Sequence, residues 1–314
     1  KSGRTGIPNR PLLTHANLAA MAMGTIHMNP FTSADPTLNW MPLDHVGSIS
    51  FLRLMTVVLK CRQIHVASGL ILSNPLQWLE LIQKYRVSIS WAPNFAFSLI
   101  NQQEKILEQS NYDLTSMRFL VNAGEQVAAK TVRQFLNLLS RHGLPADALR
   151  PAFGMSETCS GITWSAGLTV DQLIDAQHYV QLGRPIPGAW LRITDEDNQV
   201  LAEQEIGRLQ LKGNSVTAGY YKNSAANASA FTADGWFVTG DLGYLENGEL
   251  VITGREKQDI IINGINYAAH EIEACVEELA EVEVSYTAAF MVVDDNSQVE
   301  QLVVVFNPAD GIAD

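Results

Sequence analysis

Apolar residues recur alternately at helical and at strand spacing over roughly the first 160 residues. Leu76, Leu79 and Ile82 follow Asn74-Pro75, a cap residue and a first-turn proline typical of a helix start. Residues 87–91 then form a strand-like apolar run. Further patterns predict a helix at 93–108, a strand at 118–121, a helix at 127–140 and a strand that runs into Phe153. Strands joined by helices predict an α/β fold with parallel strands.

The pattern changes after about residue 183 to short strands between glycine-rich turns. Strands predicted at 190–193, 207–211 and 248–252 indicate a small β subdomain. After residue 254, the pattern predicts a strand at 260–262, a helix at 268–279 and strands at 286–293 and 301–306. We therefore predict a core over residues 1–253, α/β to about 182 and β from about 183 to 253, and then the beginning of an α+β domain over 254–314.

Composition narrows the class of protein. Of 314 residues, 46% are hydrophobic and 17% charged, which excludes a disordered chain. The net charge of −12 disfavours nucleic acid or an anionic bilayer as the main partner. No apolar run approaches the ~20 residues of a membrane span. The three cysteines have no C-x-x-C spacing, so we expect neither disulfides nor a zinc site, and a cytoplasmic setting. Because the chain starts on a loop pattern, we expect it to be part of something longer.

The segment 153–158 combines an aromatic residue, a glycine, a hydroxyl and a carboxylate within six residues. Phe153 offers a face for a purine, Gly154 allows a close backbone approach, and Ser156 can bond a phosphate oxygen. Glu157 can ligate Mg²⁺, which prefers hard oxygen ligands. The alternative is a strand-to-helix turn in which Ser156 is a cap and Glu157 lies in the first turn.

Two loop segments are further candidates for binding. Ser2, Gly3, Thr5 and Gly6 place flexible backbone amides and hydroxyls where they can converge on an anion, although a surface turn has the same composition. His45 lies between a strand and an apolar helix, where it can face a pocket or be structural.

Two later segments carry a carboxylate and a possible hinge. The segment 238–241 ends an apolar strand with the carboxylate of Asp241, which suits a vicinal diol or is an ordinary turn residue. Lys257 lies where the last domain is predicted to begin, as a hinge or a plain linker residue. Trp164, Ile162 and Val121 are candidate lining or core residues.

In this order, the segments resemble the adenylate-forming superfamily of acyl-CoA synthetases, peptide-synthetase adenylation domains and fatty-acyl-AMP ligases. The resemblance covers essentially the whole chain, through residues 2–8, 14–18, 42–47, 122–125, 153–158, 207–220, 239–241 and 254–273. It implies a large N-terminal adenylation core and a small α+β C-terminal domain, both truncated. The implied substrates are ATP with Mg²⁺ and a small carboxylic acid.

The resemblance also implies roles for individual residues. Ser2, Gly3, Thr5 and Gly6 would belong to the phosphate loop, Gly124 and Glu125 to the adenine wall with Asn122, and Phe153 and Gly154 to the stacking surface. Ser156 would meet the α-phosphate, Glu157 the Mg²⁺, and Asp241 and Arg255 the ribose. His45 would lie near the acyl carboxylate, Lys257 at the hinge, and Gly264 on the pantetheine channel.

The implied reaction is attack of the carboxylate on the α-phosphorus of ATP, followed by transfer of the acyl group to a phosphopantetheine thiol. Peptide-synthetase domains usually carry Phe-Asp-x-Ser where this chain has Leu43-Asp44-His45-Val46, which favours an acid without an α-amino group. Residues 259–267 are more similar to acyl-AMP ligases and loading domains, which favours a carrier protein over coenzyme A as the acceptor. An acyl-CoA synthetase remains an alternative.

The phosphate loop departs from the family pattern Thr-Ser-Gly-Ser-Thr-Gly-x-Pro-Lys. Lys1, Arg4 and Asn9 replace the first threonine, the second serine and the lysine, and the adenylation lysine of the family would come after Asp314. We therefore expect the polypeptide as given to adenylate poorly. A catalytically silent scaffold within a megasynthase is the second hypothesis.

Overall fold

The computed structural model describes residues 9–170, 179–256, 259–262, 265–293 and 300–309. The predicted phosphate-loop residues, the hinge residue and the channel glycine lie outside this part of the chain: Ser2, Gly3, Thr5, Gly6, Lys257 and Gly264.

Seven strands form the main sheet of the described residues. They are β1 Thr37–Asn39, β2 Gln63–His65, β3 Ile89–Ala92, β4 Phe119–Asn122, β5 Leu149–Met155, β6 Ser160–Trp164 and β7 Arg184–Pro185, in the order β2-β1-β3-β4-β5-β6-β7. The first five are parallel, as predicted, whereas β6 and β7 pair antiparallel. The connection from β5 to β6 is too short for a parallel crossover, so the chain must turn back.

Helices connect these strands and cover the sheet. They are α1 His15–Met28, a π-helix Gly47–Met55 that continues into α2 Thr56–Leu59, α3 Ser68–Ser73, α4 Leu76–Tyr85, α5 Asn94–Asn101, α6 Glu104–Leu107 and α7 Ala129–Ser140. Helix α4 buries Leu76, Leu79 and Ile82, as its periodicity predicts. The helix predicted at 93–108 is instead two helices, α5 and α6.

The sheet is buried on both faces, as expected where helices cover parallel strands. Along β4, Phe119 and Val121 belong to one hydrophobic cluster and Leu120 to the other. This alternation follows from the period of two along a strand. Among the described residues, every helix is too short or too polar to pass through a bilayer.

The predicted β subdomain is a second, fully antiparallel sheet. Its strands are β8 Ala189–Thr194, β9 Gly207–Gly213, β10 Phe237–Glu246 and β11 Glu249–Arg255, in the order β11-β10-β9-β8, with helix α8 Ser224–Ala230 beside β10. Strand β10 extends further than its apolar run predicts. The prediction that Asp241 ends a strand is therefore wrong, because it lies inside β10, where the pairing with β9 shifts register.

The C-terminal part has the predicted α+β character. A hairpin of β12 Asp259–Ile262 and β13 Ile265–Ala268 leads to helix α9 Ala269–Val276, which packs on a second hairpin of β14 Val282–Val293 and β15 Glu300–Pro308. Gln102 after α5 donates a 2.9 Å hydrogen bond from its side chain to Glu283 on β14. This contact joins the C-terminal part to the α/β core beside the candidate site.

Candidate active site

A cavity of about 540 Å³ lies between the α/β core, the β subdomain and the C-terminal part. This volume falls in the range of small-molecule binding sites. Six residues predicted from separate segments line it: Gly124, Glu125, Phe153, Gly154, Asp241 and Arg255. The fold therefore brings together residues that are up to about 130 positions apart in the sequence.

Phe153 is half-buried in β5, and the neighbouring strand β6 fixes its backbone. Its amide donates to the Thr163 hydroxyl oxygen at 3.3 Å, and that hydroxyl donates to the Leu182 carbonyl at 2.8 Å. The ring packs on both hydrophobic clusters and reaches the cavity wall. Phe153 thus brings an aromatic residue to the cavity wall, and stacking on a purine needs an aromatic face there.

Gly154 also lines the cavity, but the close approach it allows is to strand β6. A Cβ atom at residue 154 would lie 2.1 Å from the Ser160 carbonyl oxygen and 2.6 Å from the Gly161 Cα atom. Both are backbone atoms, which cannot move aside cheaply. The structure therefore explains this glycine by the packing of β5 on β6, which the sequence interpretation did not consider.

Asp241 and Arg255 face each other across β10 and β11. They are paired residues of the two strands, and the Arg255 Nε atom lies 3.1 Å from the Asp241 Oδ1 atom. The Asp241 side chain is 3% exposed and that of Arg255 46%. The Asp241 amide donates to the Thr239 hydroxyl oxygen at 3.0 Å, which fixes the backbone locally. A buried carboxylate beside a guanidinium at a cavity can accept hydrogen bonds from a diol.

Gly124 and Glu125 follow the end of β4. Gly124 has φ +96°, a left-handed value that favours glycine. The Glu125 carboxylate accepts a 3.0 Å hydrogen bond from the Phe95 amide in the first turn of α5, where negative charge is favourable. Although part of this side chain is exposed, desolvation raises the pKa of Glu125. Its backbone hydrogen bonds act in the opposite direction but are the smaller effect. Glu125 therefore anchors α5 as well as lining the cavity.

Replacement of Glu125 by glutamine is expected to make stability less sensitive to pH. Because the pKa of Glu125 is raised in the folded chain, its contribution to stability is largest below its unfolded pKa of about 4.3 and is lost as the pH rises through the folded value. Glutamine stays neutral and keeps an acceptor for the Phe95 amide. Thermal midpoints measured between pH 4 and pH 7 test this.

Glu125→Ala is the control, because it removes the acceptor as well as the charge. We expect it to be less stable than Glu125→Gln by about 1 kcal/mol at every pH, as for a lost helix cap. Equal pH slopes for the wild type and Glu125→Gln would contradict the prediction.

Ser156 and Glu157 lie in a turn beside the cavity and are not among its lining residues. The turn is a single 3₁₀ turn, Ser156–Thr158, between antiparallel strands, so the alternative of a strand-to-helix turn is wrong. Ser156 makes no side-chain cap bond, since Met155 occupies the cap position. Thr158, which the sequence interpretation missed, closes the turn by donating to the Ser160 carbonyl at 2.6 Å.

Glu157 is buried, at 1% exposure, and fixed by two contacts. Its Oε1 atom accepts a 2.9 Å hydrogen bond from the Tyr220 hydroxyl, and its carbonyl accepts from the Thr217 amide at 2.7 Å. These contacts connect the turn to the loop before α8. Among the described residues, there is no group of three or more histidine, cysteine or carboxylate side chains that could bind a metal.

A second, smaller cavity of about 40 Å³ adjoins the first and shares Gly124, Ala152 and Gly154 with it. His45 is among its lining residues, stacked on Trp91 with 5.2 Å between ring centroids. The Gly47 amide donates to the His45 Nδ1 atom at 3.1 Å. Desolvation lowers the pKa of His45, although Asp44 acts in the opposite direction. A neutral imidazole fits both the lowered pKa and the Nδ1 atom that accepts a hydrogen bond.

Apolar and aromatic side chains dominate the second cavity, and no described residue that lines it carries a carboxylate. Trp164 and Val121, two of the candidate lining residues, are part of its wall, whereas Ile162 is fully buried in the core. Sequence reasoning missed Trp91 and Gly161 in this wall, and Glu273, Phe290 and Met291 in the wall of the main cavity. The only signal for Trp91 was a buried strand pattern, which core packing explains equally well.

Comparison with known proteins gives a consistent result. Residues 2–221 match the family model described as AMP-binding enzyme. The chain is 35% identical over 312 residues to the nonribosomal peptide synthetase apvA of Aspergillus terreus (strain NIH 2624 / FGSC A1156), a match that covers 98% of this chain and 34% of that protein. The chain therefore spans about a third of the length of the curated relatives it matches.

Two solved structures are similar over nearly the whole chain. The structure of McyG A-PCP complexed with phenylalanyl-adenylate has a TM-score of 0.93 and 59% identity, and covers 99% of this chain and 56% of that one. A multidomain structure of a keto acid-selecting NRPS module, with adenylation and ketoreductase parts, has a TM-score of 0.90 and 40% identity, and covers 98% and 27%.

Proposed function

Because the chain belongs to the AMP-binding enzyme family, we propose that it forms part of a ligase that activates a carboxylic acid as an acyl-adenylate. One observation carries this proposal. Phe153, Asp241 and Arg255 line a cavity of nucleotide size, and an apolar second cavity adjoins it. The first would take ATP, and the second, whose volume of about 40 Å³ is close to that of a water molecule, would receive only part of the acid. Their shared wall would place the carboxylate beside the α-phosphorus, which it attacks to give acyl-adenylate and pyrophosphate.

The proposed roles follow from the geometry. Phe153 stacks on adenine, which Gly124 and Glu125 flank, and the Asp241 carboxylate accepts from the ribose hydroxyls while Arg255 orients it. His45, neutral and stacked on Trp91, lies at the acid cavity and does not add a positive charge there. Catalysis would come mainly from positioning and from stabilisation of the phosphate charge.

Mg²⁺ would enter as part of the MgATP substrate. Glu157 would supply one hard oxygen ligand, but its carboxylate is buried outside the cavity lining and bonded by the Tyr220 hydroxyl, so it would have to move to bind the ion. Ser156, in the same turn, would meet the α-phosphate. One or two carboxylates and phosphate oxygens are a usual ligand set for this ion, which fits the absence of a larger ligand cluster among the described residues.

The substrate we propose is an acid without an α-ammonium group. No carboxylate among the described residues lines the acid cavity to pair with an ammonium, and Asp44 is exposed outside its wall. Similarity to a keto acid-selecting module supports this class of acid, whereas the more similar A-PCP structure is complexed with phenylalanyl-adenylate, the adenylate of an α-amino acid. The proposed acceptor is the phosphopantetheine thiol of a carrier protein, which similarity to the A-PCP structure supports.

A catalytically silent domain is the second candidate, favoured by the environment of Asn9. This residue stands where the family pattern has a lysine, and its Oδ1 atom accepts a 2.9 Å hydrogen bond from the Asn223 side chain. An amide bonded in this way supplies no positive charge to a phosphate. Such a domain would act as a scaffold within a megasynthase.

Pyrophosphate exchange by the full-length protein separates the two candidates. We expect exchange with 3-phenylpropanoic acid or phenylpyruvic acid and at least about tenfold less with phenylalanine, because the ammonium group would lose solvation without gaining a partner. Stronger exchange with phenylalanine would overturn the proposed acid class. No exchange with any acid, in a protein whose circular dichroism confirms that it is folded, would favour the scaffold.

A further inference from the structure

Glu157 differs from the other buried carboxylates in its partner. Three carboxylate side chains are buried among the described residues, those of Asp35, Glu157 and Asp241. Asp35 pairs with Arg118, and Asp241 lies 3.1 Å from the Arg255 Nε atom. In the described part of the chain, Glu157 forms no such ion pair, and its carboxylate accepts a hydrogen bond from the neutral Tyr220 hydroxyl instead. Because buried charges are normally paired or bind a metal, Glu157 is the buried carboxylate best suited to a cation from a bound molecule.

Tyr220 is fixed in place by its own contacts. The residue is 5% exposed and belongs to the second hydrophobic cluster. Its amide donates to the Asn227 Oδ1 atom at 2.6 Å, and the Asn227 side chain donates back to the Tyr220 carbonyl at 3.1 Å. The preceding residue is also confined, because a Cβ atom at Gly219 would lie 2.9 Å from the Asn227 Oδ1 atom. The Tyr220 hydroxyl therefore cannot follow the Glu157 carboxylate if that group moves towards the cavities.

The backbone of the turn is held independently of the Glu157 side chain. The Glu157 carbonyl accepts from the Thr217 amide at 2.7 Å, and the Thr158 hydroxyl donates to the Ser160 carbonyl at 2.6 Å. Cavity wall lies on both sides of the turn, since Met155 and Ser160 line the second cavity. Rotation of the Glu157 side chain can therefore release the Tyr220 hydroxyl while the turn keeps its backbone contacts.

We propose that Tyr220 is a positioning residue that acts as a latch on Glu157. Its hydroxyl holds the carboxylate behind the cavity wall when no nucleotide is bound, and the carboxylate leaves that hydroxyl when it binds the Mg²⁺ of MgATP. Binding of the ion then costs one charge-assisted hydrogen bond, so Tyr220 limits how much Mg²⁺ strengthens nucleotide binding. This inference rests on the proposed function and adds a residue that acts through Glu157.

Tyr220→Phe tests the latch, because it removes the hydroxyl and keeps the ring. Calorimetric titration of the full-length protein with ATP gives the Kd in the presence of Mg²⁺ and in the presence of EDTA. With Mg²⁺, we expect the variant to bind ATP about tenfold more tightly than the wild type, because the bond that must break is already absent. With EDTA, the two Kd values should agree within about twofold, since the carboxylate then stays in place. Tyr221→Phe, the matched control, makes the same change at the neighbouring, exposed tyrosine and should alter neither Kd.

Thermal stability provides a readout that is independent of the titration. Without ligand, the midpoint of Tyr220→Phe should lie at least about 2 °C below that of the wild type, because a buried carboxylate has lost its donor. With saturating MgATP the two midpoints should converge, since the bound state lacks this bond in both proteins. In a Glu157→Gln background, Tyr220→Phe should no longer change the ratio of the two Kd values.

The outcomes separate this inference from the proposed function. A Tyr220→Phe protein whose Kd changes by the same factor with Mg²⁺ and with EDTA, or weakens only with Mg²⁺, would overturn the latch and leave adenylation in place. A folded wild type that binds ATP under neither condition would reject the proposed function and this inference with it. If Tyr220→Phe does not fold, full-length protein with 3-fluorotyrosine at residue 220 decides. Its ¹⁹F resonance must shift more with MgATP than with ATP and EDTA, and equal shifts would overturn the proposal.

Discussion

Replacement of Asp241 by asparagine is expected to raise the KM for ATP by roughly 10- to 100-fold, the effect of losing one charge-assisted hydrogen bond. A carboxylate can accept from both hydroxyls of a ribose diol, whereas an amide has one oxygen acceptor and an NH₂ donor. Asparagine can still accept from the Arg255 Nε atom, now 3.1 Å from Asp241. The fold should therefore survive, and the loss should be specific to the nucleotide.

Asp234→Asn is the matched control, because Asp234 also pairs with an arginine. Its Oδ2 atom lies 3.0 Å from the Arg192 Nη1 atom, but the side chain is 58% exposed and lies outside the main cavity. This variant should keep the KM for ATP within about twofold, as exposed ion pairs contribute little. Pyrophosphate exchange by the full-length protein at varied ATP concentration measures both KM values, and calorimetric titration with ATP measures the accompanying change in Kd. An Asp241→Asn protein that binds ATP like the wild type would remove Asp241 from the proposed ribose site.

Replacement of Gly154 by alanine is expected to destabilise the fold by about 3 kcal/mol or more. The added Cβ atom would lie 2.1 Å from the Ser160 carbonyl oxygen, so β5 and β6 would have to separate. Exchange activity should fall with the folded population. The loss is expected even without nucleotide, and urea denaturation of the chain alone measures it.

Gly69→Ala is the control substitution, because a Cβ atom at residue 69 meets nothing within 4 Å. Gly69 lies in α3, where alanine is the better helix former, so this variant should be unchanged or more stable by up to about 1 kcal/mol. If Gly154→Ala keeps the wild-type stability and loses only ATP binding, the glycine serves the nucleotide and not the packing of the strands.

The fold could be predicted where the periodicity of apolar residues and the residues that start or end an element indicate the same structure. In α4, the apolar spacing and the preceding proline both indicate a helix, and the structure has it at Leu76–Tyr85. The α/β core, the β subdomain and the α+β character of the C-terminal part are confirmed for the described residues. The domain boundaries stay predictions.

The predictions of secondary structure were wrong where the local pattern of apolar and polar residues does not determine where an element ends. The helix predicted at 93–108 breaks after Asn101, although its apolar residues continue. The return of the chain from β5 to β6 depends on Thr158 and on Cys159, whose φ of +64° is unusual for a non-glycine residue. Neither the end of α5 nor the turn between β5 and β6 is marked by a periodic pattern in the sequence.

The candidate site could be predicted only in part for a related reason. Short segments mark Phe153 and Asp241 as chemically suited to a nucleotide, and the fold brings them to one cavity. Sequence spacing could not place Glu157 behind the wall, bonded to Tyr220, because that contact spans 63 positions. Nor could it show that Glu273 lines the same cavity from α9.

Among the residues that the structure describes, three line both cavities and form a shared partition: Gly124, Ala152 and Gly154. Two of these have no side chain, so among the three only Ala152 contributes a side-chain atom to the partition, a single methyl group. Steric bulk at this partition, more than any ionisable group, would govern whether the two occupants can meet.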